Sequence, residues 1–384
     1  MKERIRELAL SLGFNRLVVA SPAPMPEALD TYSAWLERGF SADMEYLKRD
    51  PQRRVTPSMT FAPARSILIV SVNYYNSPPP PPENMVWGRV AGYAVGLDYH
   101  NVLRAKLRDL FALIEKEVGH PLSRRAVTDD AALFEQALAA RHGLGFVGKH
   151  TLIIGPKLSG SYNLIGELFL DLDLEPDEPY VGTCGDCFRC GKACPTGAIV
   201  PATGGSGYVV DANACLSYLT IENKGGIAPA MRAGLGDWVF GCDICQDVCP
   251  YNSKPVASPW PEFKPERGAG HYLDLLGLFD AVSEEEFRAR FLNSPLRRPR
   301  LRGLRRNALV VLGNKLRDGK VELAYLRHRL AAYLESEEDE MLLEHAAWAL
   351  CQGRDKPVAL LESFLPRIKS TGLRQAVVGY LEGE

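Results

Sequence analysis

Eight of the nine cysteines in this 384-residue chain lie between positions 184 and 249, and their spacing limits what this stretch can fold into. The stretch opens with Cys184-Gly-Asp-Cys187-Phe-Arg-Cys190-Gly-Lys-Ala-Cys194-Pro195 and closes with Cys242-Asp-Ile-Cys245-Gln-Asp-Val-Cys249-Pro250. Cys215 stands alone between the two runs. The spacing C-x2-C-x2-C-x3-C-P is that of bacterial ferredoxins, and eight thiolates are enough to ligate two 4Fe–4S clusters.

The same spacing predicts which cysteines share a cluster. In two-cluster ferredoxins the cysteine before proline ligates the other cluster of the pair. The first cysteine set is therefore predicted to be Cys184, Cys187, Cys190 and Cys249. The second cysteine set is predicted to be Cys194, Cys215, Cys242 and Cys245, in which Cys215 fills the place that the shorter second run leaves open.

Other uses of these cysteines fit less well. Structural zinc sites usually show two separated C-x2-C pairs, whereas here three cysteines in a row are closed by Cys-Pro. Disulfides are disfavoured because nothing in the sequence suggests export. The start, Met-Lys-Glu-Arg-Ile-Arg, lacks the apolar region of a signal peptide, and no apolar run reaches membrane-spanning length. We therefore expect a cytoplasmic protein without membrane contact. We also expect it to be a monomer.

The periodicity predicts an α+β multidomain fold. Residues 1–175 read as an α/β domain, in which Leu17–Ala20 and Ser66–Asn73 are short buried strands and the second is a central strand. Residues 176–260 form the ferredoxin-like domain. Residues 261–384 are helical, and segments beginning near Arg306 and Glu344 resemble each other at a spacing typical of HEAT-like helical-pair repeats.

Two stretches of the α/β domain carry candidate site residues. Thr128-Asp129-Asp130 precedes an apolar helix, so either aspartate is a good N-cap, although that role suffices for one of them only. The glycine-rich turn from Gly143 to Thr151 could let the backbone approach a bulky ligand, but it matches no phosphate or dinucleotide fingerprint. His100, beside Tyr99, is more simply a structural hydrogen-bonding residue than a ligand.

The helical tail contains an arginine-rich stretch. Six arginines fall within ten residues, and no acidic residue lies between Leu296 and Leu316. Because the formal net charge is −2, affinity for nucleic acid must come from such a local patch. Guanidinium groups at this density favour contact with phosphates over a solvated helix face. The residues predicted to contact nucleic acid are Arg297, Arg298, Arg300, Arg302, Arg305 and Arg306.

Taken together, these motifs resemble the epoxyqueuosine reductase family, the cobalamin-dependent iron–sulfur enzymes of tRNA queuosine synthesis. The resemblance covers nearly the whole chain. Its most specific part is Cys215-Leu-Ser-Tyr-Leu-Thr-Ile-Glu222 joined to Phe240-Gly-Cys242-Asp-Ile-Cys245-Gln246. The other matching pieces are Arg54-x-x-Pro57, Asp98-Tyr99-His100, Asp129 with Glu135 six residues on, and Gly143–Lys149.

The resemblance implies that residues 1–175 bind cobalamin without a histidine below the cobalt, and that Asp129 is the proton donor near the corrin. It implies the reduction of epoxyqueuosine to queuosine at the wobble position of a tRNA anticodon stem-loop, the last step of queuosine synthesis. Electrons would come from a low-potential donor through the two clusters. We expect Asp129 to lie buried beside the corrin, since burial raises the pKa of a carboxyl and makes it a better acid near neutral pH. The implied cofactor-binding residues are Arg54, Asp98, Tyr99, Asp129, Lys149, His150, Thr151 and Ser161.

The sequence departs from the family at two positions and leaves two other functions open. Gln136 stands where the family often has arginine, and His150 where it commonly has asparagine.

Reductive dehalogenation of a small molecule would use the same cofactors but needs no extended basic surface. An electron-transfer adaptor without catalysis would leave the long α/β domain without a role.

Overall fold

The structure is a computed structural model, and it describes residues 1–156, 160–203, 207–280 and 283–382. The chain divides into two compact units, each assembled from separate segments. The first unit comprises Met1–Ser77, Gly92–Cys215 and Asp243–Gly268, and the second comprises Pro78–Ala91, Leu216–Cys242 and Ala269–Glu384. The predicted division at residues 175 and 260 stays a prediction. Among the described residues, no helix is long and apolar enough to cross a membrane.

Helices occur throughout the described chain. Within the described ranges they are α1 (Lys2–Ser11), α2 (Glu27–Glu37), α3 (Glu45–Lys48), α4 (Pro51–Arg54), α5 (Tyr99–Val118), α6 (Glu135–Arg141), α7 (Arg189–Ala193), α8 (Leu216–Ile221), α9 (Pro229–Arg232), α10 (Ile244–Asp247), α11 (Glu284–Arg290), α12 (Arg300–Arg317), α13 (Leu323–Ser336), α14 (Glu340–Leu350), α15 (Val358–Glu362) and α16 (Thr371–Glu382).

The strands are short and form small sheets. In the described parts of the chain they are β1 (Arg16–Ala20), β2 (Ser66–Asn73), β3 (Trp87–Val90), β4 (Arg124–Val127), β5 (Phe146–Val147), β6 (Ile153–Ile154), β7 (Asn163–Leu170), β8 (Ile199–Pro201), β9 (Tyr208–Val210), β10 (Trp238–Phe240) and β11 (Tyr272–Asp274).

The first unit is built on an antiparallel sheet in the order β1-β2-β7-β4. All eight residues of β2 are buried, which confirms the predicted central strand. Its side chains alternate between two apolar clusters, as the period of two requires. Leu68 and Val70 face the cluster that contains residues of α1 and α5, whereas Ile67 and Ile69 face the cluster that contains residues of α6. Both faces of the sheet are therefore covered.

The second unit joins a three-stranded sheet, in the order β10-β3-β11, to the C-terminal helices. Helix α14 packs against α12 on one side and α16 on the other. The contact with α12 is close because Gly313 has no side chain: a Cβ there would lie 2.5 Å from the Trp348 ring. The helical character of this region agrees with the sequence, and the repeat architecture stays a prediction.

Candidate active site

Asp129 lies two residues after the end of β4, on an exposed loop. Its backbone φ is 53°, in the left-handed region that non-glycine residues rarely adopt. The hydroxyl of Tyr99 donates to Asp129 Oδ2 at 2.7 Å, and His100 Nε2 lies 4.0 Å from the same oxygen. The Asp129 side chain is 67% exposed. The protein alone therefore leaves the Asp129 carboxyl exposed and held by a buried tyrosine, and its burial beside the corrin stays a prediction.

The neighbouring residues of the Asp98-Tyr99-His100 motif fix the orientation of Tyr99. Asp98 is the N-cap of α5 and accepts a hydrogen bond from the His100 N–H at 3.0 Å. It also contacts His100 Nδ1 at 2.7 Å, and the imidazole stacks on the Tyr99 ring with 4.0 Å between centroids. Burial alone would raise the pKa of Asp98, but the hydrogen bonds from His100 lower it. Burial, followed by the nearby Asp129 carboxylate, raises the pKa of Tyr99, so the hydroxyl keeps its proton.

Two further carboxyl groups lie beside Asp129. Glu135 Oε1 accepts the Asp129 main-chain N–H at 2.8 Å, and Glu167, in β7, is completely buried. Enclosure by protein, followed by the charge of Asp129, raises the pKa of Glu135 to about 8. Burial, followed by Glu135, raises the pKa of Glu167 well above its usual value. The Glu167 carboxyl lies against that of Glu135, and outside this pair neither of its oxygens has a hydrogen-bond partner among the described residues.

Neither Asp129 nor Asp130 caps helix α6, so the N-cap interpretation is wrong. The helix begins one residue after Phe134, whose side chain makes no capping hydrogen bond. Asp130 instead accepts the Thr128 N–H at 2.9 Å and forms an ion pair with Arg104. The two adjacent aspartates therefore have different surroundings: Asp130 is paired with a cation, whereas Asp129 is held by a neutral hydroxyl.

Arg54 connects another loop to this site. Its guanidinium is buried and donates to the Tyr46 carbonyl at 3.1 Å, and its own carbonyl accepts the Phe134 N–H at 3.1 Å. Its Nε finds no hydrogen-bond partner in the described chain. Arg54 is therefore fixed next to the segment that carries Asp129 and Glu135, and one of its donors is unused.

The glycine-rich turn forms the hairpin of β5 and β6. A Cβ at Gly145 would lie 2.3 Å from the Ile154 carbonyl oxygen, so this glycine serves close packing inside the protein. Lys149 Nζ donates to the Gly185 carbonyl at 2.7 Å, and Thr151 has φ 67°. His150 is buried, and burial lowers its pKa to about 4.

In the neutral His150 ring, one nitrogen accepts a hydrogen bond and the other has no partner among the described residues. Nδ1 accepts the Leu152 N–H at 3.2 Å, so the ring proton resides on Nε2. Nε2 is buried and has no partner among the described residues. A buried donor of this kind is a place where a bound group could be accepted.

Ser161 is committed to the second cysteine run rather than open to a ligand. Its hydroxyl donates to Gln246 Oε1 at 3.0 Å and accepts from Asn252 Nδ2 at 3.0 Å. Its N–H donates to Asn252 Oδ1 at 2.8 Å. Next to it, Gly160 has φ 69°, and a Cβ there would lie 2.1 Å from Asn252 Oδ1. Ser161 therefore anchors the residues on either side of Cys249.

The structure brings the first cysteine set together within the first unit. Burial raises the pKa values of Cys190 and Cys249, and the neighbouring Cys184 thiol raises both further. Cys187 also acts on Cys249, so all four side chains are near one another. Three thiols on a tight loop with a fourth from a distant run is the donor set that a cubane requires. No three His, Cys, Asp or Glu side chains of the described residues converge in a way that suits a single metal ion.

The second cysteine set is only partly described by the contacts. Cys194 Sγ accepts the Ala198 N–H at 3.3 Å and lies 3.7 Å from Thr196 Oγ1. Thr196 in turn donates to the carbonyl of Ala214, the residue before Cys215, at 2.5 Å. The loops of Cys194 and Cys215 are therefore tied together, and the complete set stays a prediction.

Arg306 does not reach the surface, so its predicted contact with RNA is wrong. It is completely buried, and its guanidinium donates to the Leu219 carbonyl at 2.6 Å and to those of Asn223 and Gly225 at 2.8 and 2.6 Å. It also donates to Asn307 Oδ1 at 2.8 Å. Arg306 is a structural residue that holds the loop after α8.

The other arginines of the stretch keep more exposure. Arg298 pairs with Glu222 at 2.8 Å, and Arg302 pairs with Asp339 at 2.5 Å, with side chains 58% and 47% exposed. Arg305 is half-buried and donates to the Leu278 carbonyl at 2.9 Å. Arg297 and Arg300 are exposed. The charges of Arg298 and Arg302 are thus already paired with acidic residues that lie outside the arginine-rich stretch.

Sequence reasoning missed Glu167. It stands among the apolar residues of β7, opposite Ile69 and Val127 in the neighbouring strands. A lone glutamate in such a strand is itself a signal, because an unpaired carboxyl is rarely buried without a function.

Two family models match the chain. One, described as "4Fe-4S double cluster binding domain", matches residues 183–252. The other, described as "Epoxyqueuosine reductase QueG, DUF1730", matches residues 54–130. Together they cover both cysteine runs as well as Arg54, Tyr99 and Asp129.

Curated relatives and solved structures carry the same name. The chain is 37% identical over 365 residues to the epoxyqueuosine reductase of Alicycliphilus denitrificans, covering 91% of this chain and 97% of the relative. It is 34% identical over 374 residues to that of Escherichia coli K12, covering 96% and 93%.

The similarity extends to the fold. A crystal structure of epoxyqueuosine reductase with an epoxyqueuosine-modified tRNA-Tyr stem loop matches with a TM-score of 0.87 at 28% identity, covering 99% of this chain and 98% of the other. A Bacillus subtilis epoxyqueuosine reductase, solved with its catalytic aspartate loop swung out of the active site, matches with a TM-score of 0.86 at 28% identity, covering 99% and 98%.

Proposed function

Since the chain belongs to the epoxyqueuosine reductase family, a family of oxidoreductases, we propose that it reduces epoxyqueuosine to queuosine at the wobble position of tRNA anticodons, as the last step of queuosine biosynthesis. The observation that carries the proposal is the exposed Asp129 carboxyl, which Tyr99 holds in the same unit as the first cysteine set. This arrangement combines a proton-transfer group with ligands for an electron carrier.

The proton inventory of the reaction gives Asp129 its role. Converting an epoxide to an alkene consumes two electrons and two protons, and it releases the oxygen as water. We propose that the Asp129 carboxyl delivers a proton to the departing oxygen. The hydroxyl of Tyr99 fixes the carboxyl orientation, and exposure lets a substrate reach it. Asp130 is unsuited to this role because Arg104 pairs with it.

The two cysteine sets suggest which groups carry the electrons. The 4Fe–4S double cluster binding domain provides the two cysteine sets, and we propose that each set holds one cluster. Such clusters pass electrons one at a time. A low-potential donor, not identified by these residues, would supply them.

Cobalamin is the second proposed cofactor, and the buried polar atoms of the first unit fit a large group rich in amides. Arg54 Nε and His150 Nε2 are donors that the protein leaves without a partner among the described residues. We propose that these two residues, together with Tyr99, Lys149 and Thr151, line its site. We propose that Asp98 and Ser161 do not contact the cofactor but hold its neighbours in place. The Asp98 side chain contacts His100, and the Ser161 hydroxyl is hydrogen-bonded to Gln246 and Asn252. When bound, cobalamin would supply low-potential cobalt chemistry.

The substrate is proposed to be the tRNA anticodon stem-loop with its modified base turned outward. We propose that the exposed arginines of the stretch contact its backbone and that the C-terminal helices form HEAT-like repeats along it. These residues are Arg297, Arg298, Arg300, Arg302 and Arg305. The protein is proposed to act as a monomer in the cytoplasm.

The test is anaerobic reconstitution with iron, sulfide and cobalamin, followed by an assay on tRNA that carries epoxyqueuosine. We expect queuosine as the product. Asp129→Asn should retain iron, cobalt and tRNA binding and lose roughly a hundredfold or more in turnover, the scale of a lost general acid. Asp130→Asn is the matched control and should retain most activity. Equal losses in both variants would remove the proton-donor role from Asp129, and unmodified tRNA with the wild-type protein would overturn the function.

A further inference from the structure

The loop that carries Asp129 is held at its main chain by a side chain that the proposed reaction does not use. The Asp129 N–H donates to Glu135 Oε1 at 2.8 Å, across six residues of sequence. Asp129 itself has φ 53°, in the left-handed region that few non-glycine residues adopt and that Asp adopts more readily than most. The hydrogen bond that Glu135 accepts comes from the main chain of this same residue.

Packing of the Asp129 side chain cannot supply this restraint. The side chain is 67% exposed, so little apolar contact opposes its rotation out of place. Its contacts to Tyr99 and His100 fix the carboxyl only while the main chain stays where it is. On the other side of Asp129, Asp130 is fixed by Arg104 and by the Thr128 N–H. The main chain is thus held at Asp129 and at Asp130 by different groups.

Glu167 supports Glu135 from within the sheet. It is completely buried in β7, directly opposite Val127, which ends the strand leading to Asp129. Its carboxyl is close enough to couple with that of Glu135, and no hydrogen-bond partner reaches it from the other described residues. Burial raises the pKa of Glu167, so it remains neutral and adds no second negative charge under the loop.

We propose that Glu135, supported by Glu167, is a positioning residue that holds Asp129 in the orientation required for proton transfer. The role in proton transfer rests on the proposed function, whereas the restraint on the loop is a property of the protein alone. The two parts can therefore be measured separately.

The restraint is tested by hydrogen–deuterium exchange of the peptide covering residues 128–134, in the protein without tRNA. Glu135→Ala removes the acceptor, and Glu135→Asp shortens it by one methylene; both should speed exchange of the Asp129 amide by roughly threefold to tenfold, the scale of one lost hydrogen bond to a neutral carboxyl. Glu135→Gln keeps a carbonyl oxygen in place and should restore protection. Glu115→Ala is the matched control, because Glu115 Oε1 accepts the Leu122 N–H at 3.0 Å in a similar bond away from Asp129.

The same variants separate positioning from binding in the enzyme assay. Glu135→Ala and Glu135→Asp should lower kcat about tenfold or more with the KM for tRNA unchanged, and Glu135→Gln should recover most of kcat. Unchanged exchange in the first two variants, or no recovery with glutamine, overturns the positioning role. Inactive wild-type protein with faster exchange in Glu135→Ala would overturn the proposed function and leave the restraint established.

Discussion

Two buried carboxylate sites in this protein have opposite electrostatic character. In the second unit, Glu344 accepts two hydrogen bonds from Arg232 at 2.8 Å, one from the Tyr380 hydroxyl at 2.5 Å and a contact from His345 Nδ1 at 2.7 Å. Burial alone would raise the pKa of Glu344, but these partners lower it to about 2. In the first unit, burial and the neighbouring carboxyl groups instead raise the pKa values of Glu135 and Glu167.

The comparison shows that the partners of a buried carboxyl, and not its depth, decide its charge. Glu344 is fully paired and joins α9, α14 and α16, which is the expected role of a structural ion pair. Glu135 and Glu167 instead place two carboxyl groups with raised pKa values next to Asp129, which is the pattern typical of functional sites. The Glu344 site supplies the partners that a buried charge requires, whereas the burial of Glu135 and Glu167 costs stability.

The largest expected effect follows from removing one partner of the paired site. Glu344→Ala leaves the Arg232 guanidinium buried and unpaired, which should lower the free energy of unfolding by about 3–5 kcal/mol. Chemical denaturation followed by circular dichroism measures it. Glu222→Ala removes an exposed pair with Arg298 in the same unit and should lower it by less than about 1 kcal/mol. Similar losses in the two variants would remove the distinction between buried and exposed pairs.

A second effect concerns the pH dependence of the unpaired site. The pKa of Glu135 is raised to about 8 from a usual value of 4.5, so the folded state binds more protons and loses stability as pH rises between these values. Glu167→Gln removes one member of the pair, and it should stabilise the protein at pH 8 by roughly 2 kcal/mol and have little effect at pH 5. Thermal unfolding at both pH values measures the difference. Glu344, with its lowered pKa, instead loses its contribution as pH falls from 4.5 towards 2. An equal effect of Glu167→Gln at pH 5 and pH 8 would contradict the assignment.

The smallest effect on stability concerns the arginines of the tail. Arg298→Ala and Arg302→Ala remove exposed pairs, so they should lower the free energy of unfolding by less than about 1 kcal/mol. If these residues contact phosphates, together they should weaken tRNA binding and lower the slope of log affinity against log salt by roughly 1 per contact. Affinity measured at several salt concentrations decides this. Arg306→Ala should instead destabilise the fold, and unchanged affinity in the double variant at low salt would exclude the proposed surface.

Local sequence patterns determined much of the fold and of the site. Cysteine spacing predicted the first cysteine set, whose members the structure brings together. The β-branched run Ser66–Asn73 predicted the central strand. The Asp98-Tyr99-His100 motif and Asp129, which only the family resemblance linked, lie together in the structure. The first two features follow from residues close in sequence, or from a metal-ligand pattern with few alternatives.

Only the tertiary structure decided which charges are buried and what faces them. Arg298 and Arg306 look equivalent in the sequence, yet one is exposed beside Glu222 and the other is enclosed by carbonyl groups. Glu135 and Glu167 are far apart along the chain, and pairing of β7 with β4 brings Glu167 beneath the Asp129 loop. Asp129 proved exposed because the sheet ends two residues before it. Helical and strand periodicity specifies which side of an element faces the core, but it does not specify which groups of other elements lie there.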